Sequence, residues 1–186
     1  NENDNNLHSG PDGFEKKLWK VAEISDDKNS VIFNRISPDG ENGFPGEFDV
    51  SVKYEFTEDN ELRIHYQGIC DEPTVANMTN HSYFNLSGDP SQPATDHILY
   101  VNADNYTPVD STFMTTGEII PVKDTPMDFI TPKAIGQDIT KYDFVQLKNG
   151  NGYDHNWVLN TNGDITKPAA RLTSPQSGIT LEVYTN

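Results

Sequence analysis

Three observations predict an all-β fold. Residues Phe48-Asp49-Val50-Ser51-Val52-Lys53-Tyr54-Glu55-Phe56 are apolar at every second position, the period of a strand with one buried face. Between the short apolar runs lie 13 glycines and 12 prolines, whose permissive or fixed dihedrals interrupt regular elements. No long window carries a sustained 3.6-residue stripe. Many short strands separated by turn signals point to a β-sandwich or barrel.

Each element has its own reason. Val31-Ile32-Phe33 is a short apolar strand. Thr57 to Asn60 are polar turn formers, and Leu62, Ile64 and Tyr66 then resume the alternation, so 48–66 predicts an antiparallel hairpin. Ile98 to Val101, Trp157-Val158-Leu159 and Ile179 to Tyr184 predict further strands. A short helix is expected only over Pro132–Thr140, with Thr131 as cap and Pro132 in the first turn. The length of 186 residues suits one domain, 1–186, with a real core.

Composition narrows the partners. With 13 basic and 29 acidic side chains the formal charge is −16, and so acidic a chain repels phosphate backbones, which argues against nucleic acid. Cys70 is the single cysteine, so neither an internal disulfide nor a cysteine-based metal site can form. No apolar run approaches the ~18 residues that span a bilayer, so no membrane partner is expected. The carboxylate groups Asp26-Asp27, Glu58-Asp59 with Glu61, and Asp71-Glu72 lack calcium-loop spacing and read as solvated turns. Asn77, Asn80 and Asn105 open glycosylation-type triplets, read as incidental because a glycan on Asn80 would block the segment richest in chemistry.

That segment is Asn80-His81-Ser82-Tyr83-Phe84-Asn85-Leu86. It sets an imidazole, which exchanges protons near neutral pH, beside hydroxyl and amide groups and two aromatic rings. Flat apolar faces with a polar tip suit a sugar ring. Two further segments carry a histidine among polar loop residues: Asn6-Leu7-His8-Ser9-Gly10 and Gly152-Tyr153-Asp154-His155-Asn156. Read alone, His8 is an ordinary exposed loop histidine, and Asp154 serves equally as a turn residue bonding its own backbone. In an extended segment Asp154 and His155 face opposite ways, and Asp154 is favoured to face a ligand. His65 alternates with Ile64 and Tyr66 and belongs to the solvated strand face. His97 opens a strand and receives no role.

In this order the three segments resemble the aldose 1-epimerases (galactose mutarotases). Leu7 to Gly10 is similar to the family's Leu-His-Gly-Gly-like loop. Residues 80 to 86 match its Asn-His-Ser-Tyr-Phe-Asn-Leu segment throughout. Gly152 to Asn156 match Gly-Phe-Asp-His-Asn with Tyr153 for phenylalanine. Ile36-Ser37-Pro38-Asp39-Gly40-Glu41, Gly43-Phe44-Pro45-Gly46, Tyr106-Thr107-Pro108-Val109-Asp110 and Thr116-Gly117-Glu118-Ile119 are similar as well. The resemblance implies the family's large antiparallel two-sheet β-sandwich, here its central part, incomplete at both ends.

It also implies an isomerase that interconverts α and β anomers of free aldoses such as galactose and glucose, with no metal or other cofactor. His81 would be the general acid at the ring oxygen. His8, Ser82, Tyr83 and Asp154 would bind the substrate. The family's Asn-Arg pair and its Leu-Glu-Thr-like segment, whose glutamate is the general base, have no match here. Glu182 sits in a strand-like alternation and does not fit that segment. The fragment alone is therefore expected to be inactive, and the remaining fragments of its parent chain join the aldose as expected partners. No dense Arg/Lys cluster stands in the sequence, which counts against hexose phosphates. The expected location is cytoplasmic, with periplasmic or secreted placement left open. The rival reading is a carbohydrate-binding β-sandwich without catalysis, and a third is a purely structural sandwich. Polarimetry separates the first from both, and sugar titration separates the other two.

Overall fold

Four strands paired in chain order make the first sheet: β1 (Lys20–Ile24), β2 (Ser30–Ser37), β3 (Phe48–Phe56) and β4 (Leu62–Cys70). The computed structural model describes residues 6–186, which divide into two compact units, one ending at His81 and the other running Ser82–Asn186. In the first unit the predicted alternation sets the register. Phe48 pairs with Cys70, Val52 with Tyr66 and Phe56 with Leu62, all antiparallel. Val50 and Val52 are buried at 1% and 6% exposure, whereas Asp49 is exposed. His65 lies opposite Lys53 and is exposed, on the polar face as expected. Asn60 turns the hairpin with φ 60°, and the Thr57 amide closes it on the Glu61 carbonyl. That is a type I turn followed by a left-handed residue. Gly68 is required by packing, because a Cβ there would stand 2.5 Å from the Phe48 ring.

The second unit holds two further antiparallel sheets. One runs β11 (Thr180–Val183), β10 (Ala170–Thr173), β5 (Ile98–Val101) and β8 (Lys133–Ala134). The other runs β7 (Ile120–Pro121), β6 (Asn105–Thr107) and β9 (Asn156–Val158). Its core has two clusters, Tyr106 with Val122, Met127 and Leu147, and Val101 with Ala103 and Phe129. Tyr153 and Trp157 pack against both. Among the described residues no helix is long and apolar enough to cross a membrane.

The sequence places a helix wrongly. Pro132–Thr140 is not helical: Lys133 and Ala134 pair with Leu99 and Ile98, and Ile135–Gln137 makes a 3-10 turn. Tertiary bonds override the local propensity there. Lys133 Nζ donates to the Pro126 carbonyl at 2.7 Å and to Asp138 Oδ2 at 2.7 Å. A Cβ at Gly136 would come within 2.9 Å of the Thr95 carbonyl. The α-helix found, α1, is Val145–Asn149, five residues too short to show a sequence period.

Phe129 is fully buried, with the Tyr153 ring 5.0 Å away, the Trp157 ring 6.0 Å away and the Lys133 ammonium 4.6 Å over its face. Phe129→Ala is therefore expected to cost about 3–5 kcal/mol in urea unfolding. Tyr83→Ala, at a ring 89% exposed, should stay within about 0.5 kcal/mol.

Candidate functional site

His8 enters its position through an unusual backbone. His8, Ser9 and Gly10 have φ of 49°, 63° and 84°, and the Gly10 amide closes on the Leu7 carbonyl at 2.8 Å. Two successive left-handed residues make a turn that glycine tolerates best, each costing an ordinary side chain about 1–2 kcal/mol. The turn carries the exposed His8 ring to His81, with ring centroids 5.4 Å apart and planes at 76°. Two histidines from opposite ends of the first unit's sequence thus meet edge to face.

A charge network fastens the chain that follows His8. The Glu41 carboxylate accepts Arg35 Nη2 at 2.6 and 2.7 Å and Ser37 Oγ at 2.5 Å, and Lys17 lies 3.4 Å away. Lys17 also binds Asp12, and Asn42 Nδ2 donates to the Asp12 carbonyl. Burial pushes the Glu41 carboxyl up, but the Ser37 bond and the Arg35 and Lys17 charges outweigh it and hold it below the usual value. Asp39 caps the Gly46 amide at 2.7 Å. The segment Ile36 to Glu41 is thus the scaffold of the His8 loop. The same fold brings Lys16, Lys17, Lys20 and Arg35 around a cavity of about 450 Å³, adding Arg35 to three lysines that already stand close together in the sequence. Two of those four charges are already engaged by Asp12 and Glu41.

In the second unit Ser82 and Tyr83 are exposed and follow His81 directly. Asp154 stands in a strict alternation, with Tyr153, His155 and Trp157 turned inward and Asp154, Asn156 and Val158 exposed. Tyr153 Oη donates to the Pro126 carbonyl at 2.9 Å and Trp157 Nε1 to that of Met127 at 3.0 Å. Burial pushes the Tyr153 phenol far up, so it remains a donor. The turn reading of Asp154 does not fit its surroundings. Asp27, Asp89, Asp110 and Asp164 each accept the backbone amide two residues on. Among the described residues none donates to the Asp154 carboxylate.

His155 is half-buried between the rings of Tyr106, 6.1 Å away, and Phe113, 5.8 Å away. Its Nδ1 accepts the Asp154 amide at 3.3 Å, and its Nε2 is buried without a partner among the described residues. Gln146 carries no signal that sequence reasoning could use. Its buried side chain accepts the Val109 amide at 2.8 Å and donates to the Val109 carbonyl at 3.1 Å, fixing the Tyr106–Asp110 segment across a separation no local pattern reveals. Glu182 is held by Arg171 and by the Tyr184 hydroxyl, which keep its carboxyl below the usual value. The acidic groups considered for calcium are turn or pairing residues: Asp27 takes Ser25 and Asn29, Glu61 takes Arg63, and Asp71 takes the Glu47 amide. Among the described residues no three histidine, cysteine or acidic side chains form a group that could hold a metal ion.

Comparison with known proteins agrees along the whole chain. The family model described as aldose 1-epimerase matches residues 1–186. The chain is 42% identical to human galactose mutarotase, over all of this chain and 51% of that protein. It is 40% identical to the aldose 1-epimerase of Haemophilus influenzae, over all of this chain and 53% of that one. The crystal structure of a galactose 1-epimerase from Lactobacillus acidophilus superposes with a TM-score of 0.82 at 34% identity, covering 94% of this chain and 50% of that one. The chain thus spans about half the length of the relatives it matches.

Burial holds the His155 imidazole below its usual value, with only partial opposition from the Asp154 carboxylate. The unfolded chain therefore takes up this proton first as pH falls. The stability that depends on neutral His155 is complete above about pH 6.5 and is lost as pH falls from there through the depressed folded value. Urea midpoints at pH 7.5 and 5.5 should show the loss, and His155→Gln should flatten it. Equal slopes in the two proteins would remove His155 as the source.

Proposed function

The chain belongs to the aldose 1-epimerase family, and from that premise we propose that it supplies the general acid and sugar-binding groups of an enzyme interconverting the α and β anomers of free aldoses. The observation that carries this reading is the edge-to-face meeting of His8 and His81. In mutarotation the ring oxygen gains a proton while the C1 hydroxyl loses one. The C1–O5 bond opens to an aldehyde, C1 rotates, and reclosure returns both protons. Acid and base act on neighbouring oxygens, and each is restored when the ring closes.

In this reading His81 protonates the ring oxygen, and His8 binds a ring hydroxyl beside it. Ser82 and Tyr83 offer a hydroxyl and an aromatic face to the sugar. The Asp154 carboxylate, uncommitted among the described residues, accepts sugar hydroxyls. The single-domain reading of residues 1–186 belongs to the same proposal. No carboxylate of this chain matches the family's base segment, and Glu182 is engaged by Arg171 and Tyr184. Residues 1–186 as an isolated polypeptide are therefore proposed to be inactive, with the base contributed by other residues of the active enzyme.

The test is polarimetry on freshly dissolved α-galactose and α-glucose. The isolated 186-residue polypeptide should show little or no acceleration. Full activity would mean that a carboxylate within it is the base, and would overturn this division of labour. Galactose binding without turnover in the whole protein would favour the carbohydrate-binding alternative.

In the active enzyme His81→Asn should lower kcat by about 10²–10⁴-fold, with a much smaller effect on binding. Near-normal turnover would remove His81 from the acid role. Asp154→Ala should instead weaken sugar affinity by roughly tenfold or more, since a hydrogen bond to a charged group contributes about 1.5–3 kcal/mol. Calorimetric titration reads that change, and unchanged affinity would take Asp154 out of the site.

A further inference from the structure

His97 received no role from the sequence, yet it is fully buried, and both of its ring nitrogens are engaged. It follows the 3-10 turn Ala94–Asp96 and immediately precedes β5, with its amide on the Ala94 carbonyl and its carbonyl taking the Ile135 amide. Its Nε2 lies 2.9 Å from the backbone nitrogen of Leu86, and its Nδ1 lies 2.7 Å from Asp96 Oδ1. A backbone amide can only donate, so Nε2 must be the bare acceptor. The ring proton then sits on Nδ1 and is donated to the Asp96 carboxylate. The carboxylate orients the ring, and the ring holds Leu86.

Leu86 is the last residue of the seven-residue segment that begins at Asn80. Its carbonyl is also engaged, accepting Ser177 Oγ at 2.6 Å. The residues beside it are tied in turn. Asn85 Nδ2 donates to the Gln92 carbonyl at 2.8 Å, and the Ser87 amide donates to Asn85 Oδ1 at 3.0 Å. Between Ser82 and Leu86 the chain has no regular secondary structure, and Ser82 to Asn85 are exposed. Its downstream end is held at Leu86. An exposed polar loop holds a geometry only where its backbone groups are fixed by a rigid scaffold. His97 provides that scaffold from its buried position just before β5.

We propose that His97, oriented by Asp96, is a positioning residue that fixes the end of the Ser82–Leu86 segment and through it the sugar-facing residues Ser82 and Tyr83. The sugar-facing part rests on the function proposed above; the clamp on Leu86 does not. Glutamine at 97 can place its Oε1 near the position of Nε2 and keep an acceptor for Leu86. Phenylalanine fills the same space and removes the acceptor, leaving a buried amide without a partner.

The experiment uses the ¹⁵N-labelled 186-residue chain, with galactose as the probe ligand. Side-chain ¹⁵N spectra of the wild type should show His97 protonated on Nδ1 and bare on Nε2, a signature that packing alone does not dictate. In His97→Phe the Leu86 amide should exchange with solvent about tenfold faster or more, as expected when a buried amide loses its partner at a cost of ~1.4 kcal/mol or more. The Ser82 and Tyr83 signals should shift or broaden, while the Val101 and Phe129 amides stay as they are. His97→Gln should keep Leu86 protected. A proton on Nε2 in the wild type, or equal Leu86 exchange in wild type and His97→Phe, overturns the proposal. If His97→Phe does not fold, the wild-type tautomer and the Leu86 protection in His97→Gln decide it. Galactose titration of the same proteins should show weaker binding in His97→Phe than in His97→Gln. A wild type that does not bind galactose would count against the proposed sugar site while the Leu86 readout still decides the clamp.

Discussion

The second unit is organised by one short alternation, Tyr153 to Val158, in which every second side chain is driven inward. Tyr153 and Trp157 are shared by both hydrophobic clusters, and each ends in a polar atom that finds a carbonyl, of Pro126 and of Met127. Aromatic side chains of this kind combine a large buried area with a directional bond, so they fix rotation about the strand as well as its depth. Once 153 and 157 are inside, the period of two leaves no freedom for the positions between them. His155 must enter the interior as a neutral ring, and Asp154 must leave it. The orientation of the acidic side chain is thus a by-product of packing, and it comes with a buried His155 Nε2 that has no partner among the described residues.

The first unit solves its loop problem with charge. Arg35 is nearly enclosed, lies 4.9 Å over the Phe14 ring and meets both Glu41 oxygens. A buried ion pair of this kind adds little net stability over a hydrophobic substitute, but it is costly to break and strict in geometry. That suits a loop that must hold His8 in a left-handed turn. The residues resembling the family's connecting segments, Ile36 to Glu41 and Gly43 to Gly46, hold the chain that follows His8.

Much of this was legible in the sequence, for a physical reason. The hairpin of β3 and β4 was readable because one of its faces is buried and the other is not, so Val50, Val52, Ile64 and Tyr66 leave a clean period of two. β1 was not readable, since all five of its residues are exposed and the strand is held by its backbone pairing with β2. β7 and β8 have two residues each, too few for any period. The helix expected at Pro132–Thr140 failed because Lys133 has partners at Pro126 and Asp138 that outweigh propensity. At the candidate site the histidines and Asp154 were visible through their chemistry and their segment matches. Gln146 and His97 were not, because what each does depends on a backbone group distant in sequence, Val109 or Leu86.

The two units also differ in how their sheets must be assembled. The first sheet joins each strand only to the next one in the chain, by hairpins whose loop closures are short and cheap. It can therefore form as soon as residue 70 is available. The sheet around β5 cannot. β10 must come back from Ala170 to lie against Val101, bringing β11 with it as a local hairpin, and non-local closures of that kind are slow. The meander is a structure of early contacts, and the second core is one of late contacts. Until Ala170 arrives, the β5 edge that β10 will occupy stays open, so this interval is when the growing chain is most exposed to wrong partners.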